Sequence, residues 1–497
     1  MLFNSQVFLF LFLPLALAGW YALNRFRMYR IATAFLIGMS LWFYGYYNPS
    51  YLMIILCSMA GNYLVSLAME KWKFQNSSRV WMVLGLVMNV GILGYYKYYD
   101  FMIENINAIF RQSFTLKHII LPLGISFFTL QQISYIIDRS WGMAPHYGLL
   151  EYMCFVTFFP QLIAGPIVLH NELIPQLRDC SKRRFSAEDF ADGIILFSLG
   201  LVKKVLLADT FALFVNDGFQ KVYYQDTISA WLTALCYTFE LYFDFSGYCD
   251  MAVGIGKMFR LELPVNFRSP YKSHSVSEYW QRWHYTLTRF WQTYIYNPLA
   301  LSGMRKKDKR VKQVWLTVTP VIVLLVSGVW HGASWTFVVW GLLEGVAVAW
   351  AQRKHLKLKK SIFTWLCTFL FTVFAAAVFR SESWDVMCRM LKAMFTPCLS
   401  KITLELAGAF SRMPEVYAVT KYMELTAPNM LNTLFMLIFI VLLVVAVVIL
   451  HGKNSHEILA EQKEKGYTLP FTIGLSLVTG WAIISLTQIS TFLYFNF

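Results

Sequence analysis

The sequence predicts an all-α integral membrane protein with about 11–13 transmembrane or re-entrant helices. Of its 497 residues, 57% are hydrophobic and only 14% are charged, whereas about a quarter of the residues in soluble proteins are charged. Apolar runs of membrane-spanning length recur along the whole chain. The net charge of +15 arises from basic clusters between these runs, a pattern typical of cytoplasmic loops. We therefore expect contact with membrane lipid and no binding of nucleic acid.

Four apolar runs at the start of the chain predict flanking helices within residues 1–97. They cover residues 7–24, 31–46, 51–69 and 80–97. No basic residue precedes the first run, whereas Arg25, Arg27 and Arg30 follow it. This charge order favours an uncleaved first helix that starts outside the cell, although residues 16–19 (Ala-Leu-Ala-Gly) resemble a signal-peptidase site.

The middle of the chain is less regular, and we expect it to hold the functional core. Its apolar runs cover residues 118–137, 151–168, 192–216 and 229–256. Proline and glycine interrupt the first two runs at residues 121–128 and 159–166, and the last run contains Glu240, Asp244 and Asp250. Broken helices and charges are tolerated at membrane depth only where they pack in protein or line a wet cavity.

The next two apolar runs, residues 313–330 and 334–351, predict a helical hairpin with His331 at its turn. Basic clusters at residues 305–312 and 353–360 flank the pair on its outer sides, and basic flanks prefer the cytoplasm. His331 would therefore lie a membrane depth away from both clusters. An ionisable side chain in such a position is costly, which makes it a candidate for function.

His331 has two possible interpretations at this point. A histidine at a turn can simply satisfy a loop carbonyl. Alternatively, its imidazole could act as a general base, because this group exchanges a proton near neutral pH. Gly332 and Ala333 are small, and we expect them to leave space for a substrate beside the ring.

A second histidine, His284, falls on a predicted amphipathic helix. Residues 275–278 have the Ser-x-x-Glu form of a helix capping box, and apolar side chains then recur at helical spacing. This apolar stripe consists of Trp280, Trp283, His284, Leu287, Phe290, Trp291 and Tyr294. Such a helix lies in the membrane interface or turns its polar face into a cavity. His284 therefore either bonds a backbone carbonyl or reaches a site.

The last part of the chain predicts three more helices within one polytopic domain, residues 1–497. Their apolar runs cover residues 362–380, 430–450 and 469–492. When membrane crossings are counted from the basic ends of the hairpin, residues 381–429 are expected outside the cell and residues 451–467 inside. The chain has no internal repeat that would indicate a second unit. The core is residues 98–351, and the flanking helices lie in residues 1–97 and 362–497.

The sequence contains none of the common motifs for a nucleotide or a metal. It lacks a phosphate-binding loop, a G-x-G-x-x-G turn, a G-x-S-x-G elbow and an H-E-x-x-H pair. Its eight cysteines are scattered without metal-like spacing. Lys203 and Lys204 could bind an anionic cofactor, but the acids of the next apolar run favour ion pairs instead. A nucleotide-driven pump and a soluble-type hydrolase are therefore disfavoured.

Five segments together resemble the membrane-bound O-acyltransferase (MBOAT) family. They are residues 121–128, 159–166, 242–252, 278–287 and 325–335. The combination of Trp-His at 283–284 with Trp-His-Gly at 330–332 is specific to the family. The chain length and the sequence Tyr-Asn-Pro-Leu at 296–299 resemble the branch that contains the alginate O-acetyltransferase membrane subunit. They are less similar to the shorter teichoic acid D-alanyl transferases. The Ser or Met pair that usually follows Trp-His is here Tyr285-Thr286.

The resemblance implies an acyltransferase whose helices form a ring around a thinned, funnel-like centre. It implies that His331 is the catalytic histidine and His284 the second active-site histidine. His331 would act as general base on an acceptor hydroxyl or carry the acyl group itself. His284, helped by Arg282 or Asp244, would orient the donor or stabilise the thioester oxyanion. The residues expected to bind substrate are Trp283, Arg282, Trp330, Asp244 and Tyr242.

The resemblance also implies the reactants and the location, a multi-pass protein of the inner (cytoplasmic) membrane. We expect a cytosolic acyl thioester such as acetyl-CoA as donor, no tightly bound cofactor and no metal. An extracytoplasmic partner protein would complete transfer to a cell-surface polysaccharide, whose identity stays open because residues 381–429 match nothing familiar. D-alanyl transfer from a carrier protein to teichoic acid is one alternative. A transporter or flippase is another, although its typical inverted repeats are not visible in the sequence.

Overall fold

The computed structural model describes residues 1–72, 77–352, 360–486 and 492–493. Within these ranges every regular element is a helix and no β-strand occurs, which confirms the all-α prediction. Six of the described helices are long and apolar enough to cross a membrane. They are Phe8–Arg25, Ser50–Lys71, Ser77–Phe110, Lys309–His331, Ile362–Arg380 and Pro428–His451. The chain is an all-α membrane protein, while the ring around a funnel, the single domain and the sidedness of the loops stay predictions.

The first helices follow the predicted apolar runs. They are Leu13–Arg25, Tyr29–Gly45, Ser50–Lys71, Ser77–Leu93 and Tyr99–Phe110. A π-helical turn, Gly94–Tyr98, joins the last two into one continuous helix. This helix therefore extends well beyond residue 97, where the predicted run ended. Turns of this kind occur often at functional sites.

The middle of the chain is built around its longest helix, Thr227–Met258, which has 32 residues. The other helices here are Ile125–Ser140, Leu149–Thr157, Phe159–Leu162, His170–Arg178, Ala187–Val202, Asp209–Gln220, Val276–Trp280, Tyr285–Trp291 and Asn297–Met304. Ala187–Val202 packs closely along the longest helix. A Cβ on Gly200 would lie only 2.5 Å from the carbonyl oxygen of Gly247. Small residues at such crossings let membrane helices approach closely.

Two of the three buried acids of the longest helix, Asp244 and Asp250, are paired with lysines, as the sequence analysis expected. Lys204 Nζ lies 2.6 Å from Asp244 Oδ1, and Lys203 Nζ lies 2.7 Å from Asp250 Oδ2. Ser455 also donates a hydrogen bond of 2.6 Å to Asp250. Buried charges are stable only when paired and hydrogen-bonded, and these pairs fix the longest helix against its neighbours.

The predicted hairpin is confirmed. Its helices are Lys309–His331 and Trp335–Gln352, and they pack extensively against each other. His331 is the last residue of the first hairpin helix. The basic cluster at residues 305–312 lies at the opposite end of that helix, whereas residues 353–359 of the other cluster lie outside the described residues.

The predicted single amphipathic helix around His284 is wrong. The structure has two short helices, Val276–Trp280 and Tyr285–Trp291. His284 lies in the break with a φ of 44°, in the left-handed region. Asn266 accepts hydrogen bonds from the first two backbone N–H groups of the second helix, at 2.9 and 3.2 Å. This contact with a residue outside the apolar stripe sets the turn, and the periodicity of the stripe could not reveal it.

The last part of the chain is also helical, including the connection at residues 381–429. Its helices are Ile362–Arg380, Trp384–Phe395, Ile402–Ala407, Tyr417–Thr426, Leu431–His451, Ser455–Glu464 and Leu469–Ile484. Trp231 Nε1 donates a hydrogen bond of 3.0 Å to the carbonyl of Met394. The connection therefore packs against the start of the longest helix.

The crossing of the hairpin helices depends on Gly341, and Gly341→Val tests this dependence. A Cβ at this position would lie 2.5 Å from the carbonyl oxygen of Leu324, so the helices must separate. Overpacking of this kind costs about 1–3 kcal/mol, and we expect a lower thermal unfolding midpoint of the purified protein in detergent. Gly38→Val is the matched control, because a Cβ on Gly38 would meet no atom within 4 Å. Equal midpoints for the two variants would contradict the prediction.

Candidate active site

His331 and His284 line one buried cavity, although they lie 47 positions apart in the chain. Its walls come from the longest helix, the segment around His284, both hairpin helices and Ile362–Arg380. Aromatic side chains form most of the wall. The cavity holds about 40 Å³, which is room for a few water molecules.

His331 reaches this cavity from the end of the first hairpin helix, and its side chain is buried. Its ring packs edge-on against the rings of Trp340 and Phe379, with centroids 5.2 and 5.4 Å apart. The expectation that Gly332 leaves space for a substrate is wrong, because a Cβ there would overlap the ring of Phe337. The space available beside His331 is the shared cavity.

Asn266 fixes both the orientation of His284 and the position of its ring hydrogen. His284 Nδ1 lies 3.1 Å from Asn266 Oδ1, which also accepts hydrogen bonds from Thr286 N and Oγ1 at 3.2 and 2.9 Å. A backbone N–H can only donate, so the contacting atom of Asn266 is its oxygen and His284 Nδ1 carries a hydrogen. In the neutral ring, Nε2 then holds the lone pair.

Glu344 is a site residue that the sequence analysis missed. It is the single charged residue of the second hairpin helix, and its side chain lines the cavity. Trp280 Nε1 donates a hydrogen bond of 2.9 Å to Glu344 Oε2. A lone acid in an apolar helix is a signal that could have identified it. Asn266 gave no comparable signal, since it lies in an ordinary loop sequence.

Three of the predicted substrate-binding residues are aromatic, and the structure brings one of them to the cavity. Trp283 lines it directly. Tyr242 packs behind Trp283, with ring centroids 6.3 Å apart. Trp330 faces Phe127 and Trp291, with centroids 5.6 and 6.1 Å apart. Tyr242 and Trp330 therefore lie behind the cavity wall.

The two charged candidates, Arg282 and Asp244, are placed away from the cavity. Arg282 forms an ion pair of 2.9 Å with Glu278 and donates to the carbonyl of Arg268. Asp244 is paired with Lys204. Neither candidate is among the residues that line the cavity, so the structure does not bring them together with His284 as expected.

A second cavity adjoins the first at Trp280, whose side chain lines both. It holds about 210 Å³ and lies between the segment around His284 and the hairpin. Its polar lining includes the side chains of Gln281, Gln292 and Gln352. Gln352 is the last residue of the second hairpin helix. The cavity therefore extends along the hairpin toward its basic end.

Metal ligands are not grouped in the described part of the chain. Within residues 1–72, 77–352, 360–486 and 492–493, no three His, Cys, Asp or Glu side chains lie close enough together to hold a metal ion. The polar groups around the two histidines are instead amides, hydroxyls and the single carboxyl of Glu344.

Comparison with known proteins places the chain in a family. The sequence profile of the membrane-bound O-acyltransferase family, MBOAT, matches residues 144–378. The chain is 36% identical to a peptidoglycan O-acetyltransferase of Helicobacter pylori, over 100% of this chain and 98% of that protein. It is 36% identical to a probable alginate O-acetylase of Pseudomonas aeruginosa, over 80% of this chain and 75% of that protein. A teichoic acid D-alanyltransferase of Streptococcus thermophilus is 25% identical over 47% of this chain and 58% of its own length.

The helical membrane fold and these matches together define an integral-membrane acyltransferase. The chain belongs to the membrane-bound O-acyltransferase family, and the resemblance drawn from its motifs is confirmed. The matched residues 144–378 include both histidines, Asn266 and Glu344.

Trp280 lines both cavities and is hydrogen-bonded to Glu344, and two substitutions test what this bond contributes. Glu344→Leu leaves a buried indole N–H without an acceptor, which costs about 1–3 kcal/mol, so the thermal unfolding midpoint should fall. Glu344→Gln keeps an acceptor oxygen of similar reach and should unfold close to the wild-type midpoint. Calorimetry or fluorescence of the purified variants measures the difference. A Leu variant as stable as the Gln variant would rule out this contribution.

Proposed function

We propose that this enzyme moves an acetyl group from cytosolic acetyl-CoA across the inner membrane toward a cell-surface polysaccharide. The observation that carries the proposal is the shared cavity of His331 and His284, in a chain whose relatives include a full-length peptidoglycan O-acetyltransferase. Peptidoglycan and alginate, named in these relatives, are both polysaccharides with hydroxyl groups that accept acetyl. We infer the same class of acceptor here.

His331 is the reacting histidine of the proposal. In one route its imidazole takes the proton of an acceptor hydroxyl while that oxygen attacks the thioester carbonyl and the CoA thiolate leaves. In the other, an imidazole nitrogen attacks the carbonyl and the thiolate leaves; the acyl-imidazolium then passes the acetyl group to the hydroxyl, whose proton goes to the thiolate as the neutral imidazole is released. Both routes use only the imidazole of His331, the acceptor hydroxyl and the thioester. The aromatic walls of the cavity exclude bulk water from the acyl group.

His284 is the proton-handling partner in the proposal. Because Asn266 holds a hydrogen on Nδ1, neutral His284 presents a lone pair on Nε2. It must take up a proton there before it can donate a hydrogen bond to a developing oxyanion or protonate the leaving thiolate. Arg282 and Asp244 form ion pairs elsewhere, so we assign the support of His284 to Asn266 instead.

The second cavity is the proposed route of the donor. It extends from the basic end of the hairpin, which we expect on the cytosolic side, to Trp280. The amide side chains of Gln281, Gln292 and Gln352 are suited to hydrogen-bond the amide groups of the CoA arm. Trp280 lines both this space and the cavity of the histidines, so a movement of its side chain would join the two and admit the thioester.

An extracytoplasmic partner protein completes the proposed transfer to the polymer. A polymer outside the cell needs a protein surface that presents its hydroxyls to the acyl group. D-alanyl transfer is the weaker candidate, because the D-alanyltransferase relative is 25% identical over only 47% of this chain.

The role of the two histidines is tested in the native host by complementing a deletion strain. We expect His331→Ala to lower alkali-labile O-acetyl in the cell-surface polysaccharide fraction by about 100-fold or more, since general acid–base groups contribute on this scale. His284→Ala should cause a similar or smaller loss. His451→Ala is the control, because this exposed histidine lines neither cavity and its ring nitrogen contacts the carbonyl one turn back in its own helix. A His331→Ala strain with normal acetylation would overturn the proposal and favour a transporter.

The donor is tested with inside-out membrane vesicles that contain the full-length protein. We expect labelled acetyl-CoA to release CoA thiol and transfer label in a manner that depends on His331, because the donor cavity should open to the cytosolic face. Vesicles of His331→Ala protein, brought to the same expression level, provide the background. Transfer from a D-alanyl-loaded carrier protein, with no release of CoA from acetyl-CoA, would replace acetyl by D-alanyl as the acyl group.

A further inference from the structure

The helix that carries His331 ends inside the molecule, and its last carbonyls need hydrogen-bond donors. The last four C=O groups of an α-helix have no partner within the helix, and water is not available at membrane depth to supply one. Here these groups belong to Gly328, Val329, Trp330 and His331. Gly332 N donates to the first of them at 3.4 Å, so three carbonyls depend on other elements.

Two adjacent residues of one distant helix supply those donors. Lys97 Nζ donates to the carbonyls of Trp330 and His331, at 2.7 and 2.8 Å. The Tyr98 hydroxyl donates to the carbonyl of Val329 at 2.6 Å. The end of the first hairpin helix, which carries His331, is therefore capped by residues more than 230 positions earlier in the chain.

The same helix, Ser77–Phe110, also holds the other side of the turn. Asn105 Oδ1 accepts a hydrogen bond of 2.8 Å from Trp335 Nε1. The ring of Phe101 packs against Trp335, with centroids 5.9 Å apart. The residues before and after His331 are thus both fixed to one rigid neighbour.

The position of Lys97 within a membrane-spanning helix requires a physical explanation. Ser77–Phe110 is a candidate membrane span, and a charge in such a helix is costly. The π-helical turn Gly94–Tyr98 places Lys97 and Tyr98 together at the hairpin end. There the ammonium meets the negative end of a helix dipole and lies 5.9 Å from the ring of Trp330.

We propose that Lys97 is a positioning residue for acyl transfer. Its ammonium fixes the end of the first hairpin helix and so keeps the imidazole of His331 aimed into the shared cavity. The inference rests on the proposed function, because it assigns Lys97 a role only through His331. A displacement of about 1 Å at a reacting group can lower a rate by about 100-fold, so a loosened helix end should affect turnover more than donor binding.

The test compares three lysine variants of the full-length protein in the vesicle assay with labelled acetyl-CoA. Lys97→Met keeps the side-chain length but removes the donors and the charge, and we expect kcat to fall by about 10- to 100-fold while KM changes by less than about twofold. Lys97→Arg keeps a cation with several donors and should restore most of kcat. Lys117→Met is the control for the loss of a lysine. The Lys117 ammonium lies over the rings of Tyr95 and Tyr99, so this variant should keep the wild-type kcat.

The outcomes separate this inference from the proposed function. Wild-type kcat in Lys97→Met, with His331→Ala inactive, overturns the role of Lys97 and leaves the proposed function intact. Wild-type turnover in His331→Ala overturns the proposed function itself. Equal losses in Lys97→Met and Lys97→Arg exclude a role for the cation. If Lys97→Met does not fold, Lys97→Gln, which also removes the ammonium, takes its place, and a wild-type kcat in that variant overturns the inference.

Discussion

In an apolar bilayer the carbonyls at a helix end must find their donors within the protein, and this requirement shapes the surroundings of His331. The helix that carries it ends inside the molecule, where Lys97 and Tyr98 donate to its terminal carbonyls. On its other side, the close crossing at Gly341 holds the second hairpin helix. These contacts are made with backbone atoms, so they set the position of His331 through the main chain that carries it. The cavity, its aromatic wall and the second histidine are arranged around this fixed point.

The parts that could be predicted from the sequence are those that the bilayer itself dictates. Bilayer thickness sets the length of an apolar run, so the helices and the hairpin at residues 313–351 were predictable. The cost of an unpaired charge at membrane depth likewise predicted ion pairs for Lys203 and Lys204. The same rule could have drawn attention to Glu344, which the sequence analysis missed, but only the fold shows that it bonds Trp280, the tryptophan that lines both cavities.

The parts that could not be predicted depend on contacts between residues far apart in the chain. The apolar stripe around His284 has a helical period, yet the helix breaks because Asn266 binds the N–H groups that follow. Residues 381–429 fold into helices that the hydropathy pattern did not indicate. Arg282 and Asp244 were expected to support His284, but the structure pairs each of them with an opposite charge elsewhere. Local hydropathy patterns predict which residues are buried, but they do not predict which distant residues contact one another.

The left-handed backbone at His284 limits which amino acids the position can accept over evolutionary time. β-branched and bulky residues are strained in this conformation, whereas asparagine and aspartate adopt it several-fold more often than most. A descendant sequence with asparagine at this position could keep the path of the chain and the turn held by Asn266. It would exchange a group that binds protons for a neutral amide. Chemical diversification at this one position is therefore possible without rebuilding the architecture around it.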